Sequence, residues 1–297
     1  MSKRFIIIVN GTPAKRKKFE QYFKAAITEK YHTEIVHTEF AGHAVEQARR
    51  AAESLPDGIL AAGGDGTLNQ VINGVLQSGK NVPVGIIPLG TGNDFAAHCG
   101  INSVEKILEL LNSEALRTDV GLVRGLDSAS NPATRYFINI ASICLGPEVV
   151  HRLENSSRRL GPDLTYVLET VKAFFKQIPT ELIAETPEWK WSGKVRAFAI
   201  ANGSRFGSGL YVAPDARPDD GLLSTFSAGD VPLITFLYFL LRIKSKQKVT
   251  HRKARYDACK FIQLSAPHST FIETDGELAC LLPASIEVIP QAIKIFR

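Results

Sequence analysis

The chain has 297 residues, of which 44% are hydrophobic and 22% are charged, which excludes a disordered or fibrous protein. Its net charge of +5 is compatible with phosphate-rich ligands or an anionic membrane surface, but we expect no nucleic-acid partner. Four widely spaced cysteines predict a reduced, cytoplasmic protein, and no apolar segment is long enough for a membrane span or a signal peptide.

The N-terminal part alternates short apolar segments with amphipathic segments. The predicted strands are residues 5–9, 34–38, 59–62 and 84–87, with another near 118–123. The predicted helices are residues 17–30, 44–54, 68–77 and 104–111. This alternation indicates a parallel β-sheet flanked by helices. Ligands bind beyond the carboxyl ends of such strands, so the loops after the first four strands are expected to form one site.

From about residue 122 the pattern becomes mostly β. Segments such as RYFINIAS, KVRAFAIANG, GLLSTFSAG and STFIETDGELACLL indicate strands separated by turns. Two helices interrupt them, one after Pro162 and one in VPLITFLYFLLRIKSK. We therefore predict an α/β nucleotide-binding domain at residues 1–122, joined by residues 290–297. A mostly β, sandwich-like domain with inserted helices is predicted at residues 123–289.

The stretch AAGGDGTLNQVING, residues 61–74, combines a phosphate-binding type of turn with a carboxylate. Glycines between a strand and a helix let the backbone approach a phosphate, yet Asp65 would repel it and no P-loop lysine follows. A Mg²⁺ ion between carboxylate and phosphate removes the conflict, so the stretch fits Mg-ATP. An ordinary glycine-rich turn with an exposed Asp is the alternative.

A second stretch, IIPLGTGNDFA at residues 86–96, repeats the arrangement with Asp94. Two glycine loops at adjacent strand ends would bring Asp65 and Asp94 near one another. This repetition favours a nucleotide site over two unrelated turns.

The stretches GGDGTLNQVINGV, PLGTGNDFA and the late DGE at residues 275–277 resemble the diacylglycerol kinase catalytic family, particularly the soluble bacterial lipid kinases. The resemblance implies an ATP- and Mg²⁺-dependent kinase with its active site between the two domains, and a chain end that returns to the first domain. It implies that ATP is bound by one set of residues: Asn10, Thr38, Gly64, Asp65, Gly66, Thr67, Leu68, Asn69, Gln70 and Thr91. Asp65 and Asp94 count among the catalytic residues.

The first loop departs from the family pattern Asn-Pro-x-x-Gly. This chain has Asn10 in place, but the proline is shifted to Pro13 and the glycine that ends the pattern is absent. The basic run at residues 15–18 either attracts phosphate or forms a solvated helix face.

The TDGE stretch by itself indicates a hairpin turn. Phosphoryl transfer to a hydroxyl needs a proton acceptor, and by resemblance Glu277 takes this role, with Asp275 coordinating or supporting. In the stretch APDARPDDGLL the resemblance implies a structural Mg²⁺ site, with a carboxylate from Asp220 and main-chain oxygens from Arg217 and Leu222. A β-turn at residues 219–221 is the alternative, and oxygen ligands suit a hard cation.

The segment of residues 231–243 is followed by Lys and Arg residues. It fits an interfacial helix at a membrane where the lipid substrate is met, or a helix that covers the β-sheet. The helix after Pro162 fits either an acyl-chain entry or simple core packing.

The leading prediction is a cytoplasmic, peripherally membrane-bound lipid kinase that converts diacylglycerol to phosphatidic acid in phospholipid metabolism. Phosphatidylglycerol or a sphingoid base stays open as substrate, and the bacterial relatives leave a homodimer open. The alternatives are an NAD kinase-like enzyme, which shares the Gly-Gly-Asp motif, and a nucleotide-binding regulator without turnover.

Overall fold

The computed structural model describes residues 2–90, 92–156, 161–207 and 209–297. The chain divides into two compact units. Unit 1 comprises the first 118 residues together with Gln291–Arg297, and unit 2 comprises Asp119–Pro290. Each unit has its own sheet pairing and its own buried core, and the two are described separately.

Unit 1 is built on a parallel sheet. Its strands are β1 Arg4–Val9, β2 His32–His37, β3 Gly58–Gly63 and β4 Val84–Pro88, paired in the order β2-β1-β3-β4. The helices are α1 Pro13–Phe19, a π-helical turn Glu20–Lys24, α2 Ala25–Thr28, α3 His43–Glu53, α4 Asp65–Ser78, α5 Asp94–His98 and α6 Val104–Asn112. β1, β3 and β4 are almost entirely buried, which is typical of parallel strands covered on both faces.

The sequence-based boundaries in unit 1 differ most at the first helix. The helix predicted at residues 17–30 begins at Pro13, because proline is favoured in the first turn, where its missing N–H is not needed. The end of the chain also belongs to this unit: Ile295 pairs in parallel with Val84, and the Phe296 amide donates to the Val84 carbonyl at 3.0 Å.

Unit 2 is mostly antiparallel β-structure. Its strands are β5 Leu116–Leu126, which begins in unit 1, β6 Pro132–Phe137, β7 Ile140–Cys144, β8 Thr180–Glu185, β9 Lys190–Ala201, β10 Leu223–Gly229, β11 Ala254–Cys259, β12 Phe261–Ser265, β13 Phe271–Thr274 and β14 Glu277–Ile295, which ends in unit 1. One layer follows the order β11-β10-β9-β7-β13-β14.

Two long strands pass from this layer into a second one. The first half of β9 pairs with β8 and its second half pairs with β7 and β10, while β14 pairs first with β13 and then with β12. Side chains between the layers form an apolar core that includes Phe198, Ile262 and Ile272. This is the expected β-sandwich-like domain.

Three helices accompany the outer face of the first layer. They are α7 Leu145–Glu154, α8 Pro162–Lys176 and α9 Leu233–Lys244, and they share a second apolar core with β7, β9 and β10. The sequence predicted α8 and α9 but not α7. Gly146 and Pro147 favour a turn, yet a proline is tolerated in the first turn of a helix. Among the described residues, no helix combines the length and the apolar character needed to cross a bilayer.

Candidate functional site

The glycine loops that follow β3 and β4 in unit 1 are in direct contact. The amides of Leu89 and Gly90 both donate to the carbonyl of Gly63, at 2.8 and 3.2 Å. A Cβ atom on Gly90 would lie 2.6 Å from the Cα of Gly64, so no side chain fits there without moving the backbone. The two loops therefore form one structure at the carboxyl edge of the sheet.

Asp65 ties these loops together. One of its carboxylate oxygens accepts the amide of Asp94 and the other accepts the amide of Phe95, each at 3.0 Å, so Asp65 binds the first turn of α5. Burial raises the pKa of Asp65, the Phe95 and Asp94 amides oppose that rise, and the nearby charge of Asp94 adds to it. The structure thus brings Asp65 and Asp94 together, as the two sequence stretches predicted.

The loop after β1 joins the same edge. The Thr38 hydroxyl accepts the Gly11 amide at 2.8 Å, and the Asn10 side-chain amide donates to the Thr67 hydroxyl at 3.2 Å. Asn10, Thr38 and Thr67 therefore belong to one network, although the first loop lacks the family's proline position. Their polar groups position the loops around the start of α4.

The remaining nucleotide-binding candidates lie on α4 or just before it. Gly64 precedes the helix, and the amide of Gly66 lies in its first turn, where an α-helix has N–H groups without an intrahelical acceptor. Leu68 and Asn69 are fully buried in unit 1, whereas Gln70 is half-buried. A ligand at the helix terminus would meet main-chain amides rather than the Leu68 side chain. The candidate Thr91 lies outside the described residues.

A cavity of about 480 Å³ lies beside the second loop of unit 1. Its lining includes Asn93 from the loop, Lys18 from α1 and the partly exposed Tyr22. Lys18 comes from the basic run of residues 15–18, so one member of that run faces a cavity at the loop. An aromatic ring, a cation and an adjoining glycine loop at one cavity suit a nucleotide.

In unit 2, the TDGE stretch forms a two-residue hairpin turn. Thr274 pairs with Glu277, and the residues between them, Asp275 and Gly276, both have positive φ, which favours Asp-Gly at such turns. The Asp275 carboxylate accepts three amides, those of Ile138, Asn139 and Ile140, at 2.7 to 3.0 Å. Asp275 therefore fastens the hairpin to the start of β7.

The same three amides explain why the predicted strand RYFINIAS is divided. β6 ends at Phe137 and β7 begins at Ile140, because the backbone between them turns its N–H groups towards Asp275. Glu277 behaves differently from Asp275, since it forms an ion pair with the half-buried Arg135 of β6. Its partner is a side chain, which can move more freely than a main-chain amide.

Glu273 is a buried acid that the sequence reasoning missed. It has no exposed surface, one carboxylate oxygen accepts the Ser142 hydroxyl, and the other accepts the Gly276 amide at 2.9 Å. Burial raises the pKa of Glu273 to about 7; the Ser142 and Gly276 hydrogen bonds oppose this and the charge of Asp275 adds to it. In the sequence, the only sign of Glu273 was an ionisable residue within a segment predicted to be a strand.

An apolar cavity of about 80 Å³ lies between the sheet of unit 2 and its helices. Its lining includes Phe206, Phe226 and Phe236, and its polar wall includes Ser142. Because Ser142 pairs with Glu273, this wall is connected to the strand that leads into the TDGE hairpin. The cavity can accept apolar groups next to the hairpin.

The predicted metal turn is held by a second acid that was missed, Asp119. This residue is buried, its carboxylate accepts the Gly221 amide at 2.7 Å, and its own amide donates to the Pro218 carbonyl at 2.7 Å. Asp220 is exposed and accepts the Leu222 amide at 3.0 Å. The signal for Asp119 was an acid inside an apolar strand.

The donors available at this turn are oxygen atoms, which suit Mg²⁺ or Ca²⁺. Among the described residues, no cluster of three or more His, Cys, Asp or Glu side chains is arranged to hold a metal. A cation at residues 217–222 therefore needs the main-chain oxygens of Arg217 and Leu222 in addition to Asp220. If both main-chain oxygens take part with the Asp220 carboxylate, these oxygen donors fit the predicted Mg²⁺ ion.

Comparison with known proteins gives consistent results. The diacylglycerol kinase catalytic domain profile matches residues 4–123, and the profile of the YegS C-terminal NAD kinase beta sandwich-like domain matches residues 142–297. A protein from Staphylococcus carnosus named diacylglycerol kinase is 24% identical over 302 residues, covering 100% of this chain and 95% of that protein.

Solved structures show the same architecture. A diacylglycerol kinase structure from Bacillus anthracis has a TM-score of 0.72 at 17% identity, covering 99% of this chain and 96% of that chain. Yeast NADH kinase, solved with NADH, is more distant, with a TM-score of 0.50 at 12% identity over 99% of this chain and 83% of that chain. Likeness at these identities shows a shared fold.

Proposed function

Since this chain belongs to the diacylglycerol kinase catalytic-domain family and is a kinase, we propose that it phosphorylates the hydroxyl group of a lipid with ATP. Diacylglycerol is the substrate we propose, with phosphatidic acid as the product. In this proposal unit 1 binds the nucleotide and unit 2 binds the lipid. The boundaries between the two functional domains are proposed near residues 122 and 290.

The contacts within unit 1 support ATP binding. Gly64 and Gly90 let the two loops pack closely beside the N-terminus of α4, which offers amides and the positive end of a helix dipole to phosphate groups. Asn10, Thr38 and Thr67 hold the surrounding loops in place. Thr91 stays a proposed contact.

The acids of the two loops fit a catalytic cation. The Asp65 carboxylate accepts the main-chain amides of Asp94 and Phe95, a carboxylate has about four acceptor positions, and Asp94 is buried beside it. Mg²⁺ bound there would neutralise negative charge on the ATP phosphates. We also propose the separate structural cation at Arg217, Asp220 and Leu222.

Glu277 is the proton acceptor in the proposed reaction. The lipid hydroxyl oxygen attacks the γ-phosphorus, the bond from that phosphorus to the bridging oxygen breaks, ADP leaves, and the hydroxyl proton passes to Glu277. Arg135 holds the Glu277 carboxylate in place before the reaction. Asp275 has the supporting role, because its carboxylate is occupied by three main-chain amides.

One observation favours a lipid over a water-soluble molecule as the phosphoryl acceptor. The apolar cavity of unit 2 shares Ser142 with the buried contact to Glu273, two residues before Asp275. A short part of an acyl chain in this cavity would lie next to the hairpin that carries the proposed base. We further propose that the protein is cytoplasmic and peripheral at the membrane, where such a substrate is found.

A product assay tests this proposal. The protein is incubated with γ-labelled ATP and Mg²⁺, and either with mixed micelles containing diacylglycerol, phosphatidylglycerol or a sphingoid base, or with NAD. Label in phosphatidic acid is the expected result. Label in NADP overturns the proposal in favour of an NAD kinase-like enzyme, and ATP binding without any labelled product favours a regulator without turnover.

The chain offers a matched pair of variants for the base. Glu277→Gln should lower kcat roughly 10²- to 10⁴-fold, the usual contribution of a general base. Glu287→Gln is the control, because Glu287 lies on the same strand and pairs with Arg124 in a similar way. Equal rates for the two variants would contradict the role of Glu277.

A further inference from the structure

The outer surfaces of α8 and α9 carry large apolar side chains that are exposed. On α9 they recur at helical spacing, with Ile234 76% exposed and Leu241 67% exposed. On and just after α8, Phe175 is 71% and Ile178 is 79% exposed. The set, which we call the outer apolar face, comprises Leu164, Val167, Leu168, Phe175, Ile178, Ile234, Tyr238 and Leu241.

The inner surfaces of both helices are already packed, so the outer face is not simply a core surface. Phe174 of α8 and Phe236 of α9 are buried against each other with ring centroids 5.0 Å apart. Both belong to the core that lies on one face of the sheet, together with Phe226 of β10. Because both helices cover the same sheet face, their outer surfaces are directed to the same side of unit 2.

Helices that are apolar on both sides are normally covered on both sides. Isolated exposed apolar residues are common on soluble proteins, but a group of this size on two neighbouring helices indicates an interaction surface. Tyr238 adds an amphipathic ring, a residue type enriched where one end of a side chain is apolar and the other is hydrated. The outer apolar face therefore requires a partner.

The charge beside this face indicates what the partner is. Residues 231–253 include six Lys or Arg residues and no Asp or Glu. Lys244 and Lys246 are exposed directly after the apolar turns of α9. On α8, by contrast, Lys172 pairs with Glu169, so the positive charge is concentrated at one end of the face. Anionic lipid headgroups attract such basic residues, whereas the acyl region accommodates the apolar ones.

A second copy of the chain fits less well. In a symmetric dimer built on this face, the basic end around Lys244 and Lys246 would meet the α8 end of the other copy, where Glu169 is already paired with Lys172. An anionic bilayer neutralises the same charges. Phe236 and Leu240 of α9 also line the apolar cavity, so the helix that presents the face also contacts the proposed acyl-chain cavity.

We propose that the outer apolar face and Lys244 and Lys246 form a docking surface that inserts shallowly into an anionic bilayer. This inference rests on the proposed lipid kinase function, because it supplies the contact with the membrane in which the substrate lies. Vesicle binding does not require turnover, so binding without lipid phosphorylation would refute the function and retain the docking surface.

Vesicle co-sedimentation without ATP tests the surface. Wild-type protein is expected to bind vesicles of phosphatidylcholine with phosphatidylglycerol more tightly than vesicles of phosphatidylcholine alone. Ile234→Ser combined with Leu241→Ser should weaken binding roughly tenfold or more, since both side chains lose their apolar contact. Lys244→Ser and Lys246→Ser should weaken binding to the anionic vesicles about fivefold each.

The control is Ile183→Ser, which removes an exposed apolar side chain from β8 on the other layer. All variants are expected to keep wild-type activity on a short-chain diacylglycerol that is dissolved as monomer. Vesicle binding that is unchanged in the Ile234/Leu241 variant would overturn the proposal. If that variant instead loses a dimer seen by sedimentation velocity while vesicle binding is retained, the face binds a second copy.

Discussion

Replacing Glu273 with Gln is expected to make the stability of unit 2 less dependent on pH. In the folded protein burial raises the pKa of Glu273 from 4.5 to about 7. Below the lower value both folded and unfolded chains keep the proton, and above the higher value both have lost it. Between the two values only the folded chain keeps it, so the free energy of unfolding falls as the pH rises.

The size of this effect follows from the pKa difference, which is about 2.5. Each pKa unit corresponds to about 1.4 kcal/mol, so Glu273 should remove about 3 kcal/mol of stability between roughly pH 4.5 and pH 7. Gln cannot titrate. Its carbonyl oxygen can accept the Gly276 amide while its NH₂ group donates to the Ser142 hydroxyl, so both buried contacts are retained.

Urea unfolding followed by tryptophan fluorescence measures this directly. The chain has two tryptophans, Trp189 and Trp191, and both pack against the core of unit 2. The free energy of unfolding of wild type and Glu273→Gln is compared at about pH 4.5 and about pH 8. The variant should gain about 3 kcal/mol relative to wild type at the higher pH.

Two further variants make the result specific. Ile272→Val, at the neighbouring buried position, should cost about 1 kcal/mol at both pH values because no proton is involved. Ser142→Ala removes a hydrogen bond that lowers the pKa of Glu273, so the loss of stability should extend to higher pH. A stability difference between Glu273→Gln and wild type that is the same at both pH values would refute the reasoning.

Two predictions concern the loops. Gly90→Ala should weaken ATP binding roughly tenfold or more, because the added Cβ would lie 2.6 Å from the Cα of Gly64; an unchanged affinity in a nucleotide titration, with unchanged melting, would contradict this. Asp220→Ala should lower the melting temperature in Mg²⁺ and abolish the response to a chelator. Wild-type melting that does not respond to a chelator would count against a structural cation at this turn.

The local patterns of the sequence predicted unit 1 well. β1, β3 and β4 are continuous apolar runs because both faces of these strands are buried, and the glycines after β3 and β4 mark where the backbone must come close. Asp65 and Asp94 were therefore expected at one edge of the sheet. In each loop the apolar strand, the glycines and the acid lie within a few residues of one another, so the local sequence is enough to predict them.

The residues that were missed depend on partners far away in the chain. Glu273 meets Ser142 across 131 residues and Asp119 meets Gly221 across 102. Glu277 was predicted, but its partner Arg135, 142 residues away, was not. One sequence contains no signal for such pairs beyond an ionisable residue in an apolar strand. Whether that residue is buried or points to solvent depends on the final packing.

The motif acids also have a role that the motif does not indicate. Asp65 and Asp275 stand at equivalent places in Asp-Gly pairs, and each carboxylate binds main-chain amides of a neighbouring segment. Loss of activity in Asp65→Ala would therefore follow from a displaced loop as readily as from a lost Mg²⁺ contact.

The dependence of the rate on Mg²⁺ concentration separates these two explanations. If Asp65 contacts the cation, Asp65→Asn should raise the Mg²⁺ concentration needed for half-maximal rate at saturating ATP. If it only binds the amides of Asp94 and Phe95, the variant should weaken ATP binding and leave the Mg²⁺ requirement unchanged. We expect both parameters to change, because each Asp65 oxygen can accept an amide and still face a cation. An unchanged Mg²⁺ requirement would restrict Asp65 to holding the loops, and the cation would then depend on other oxygen atoms of unit 1.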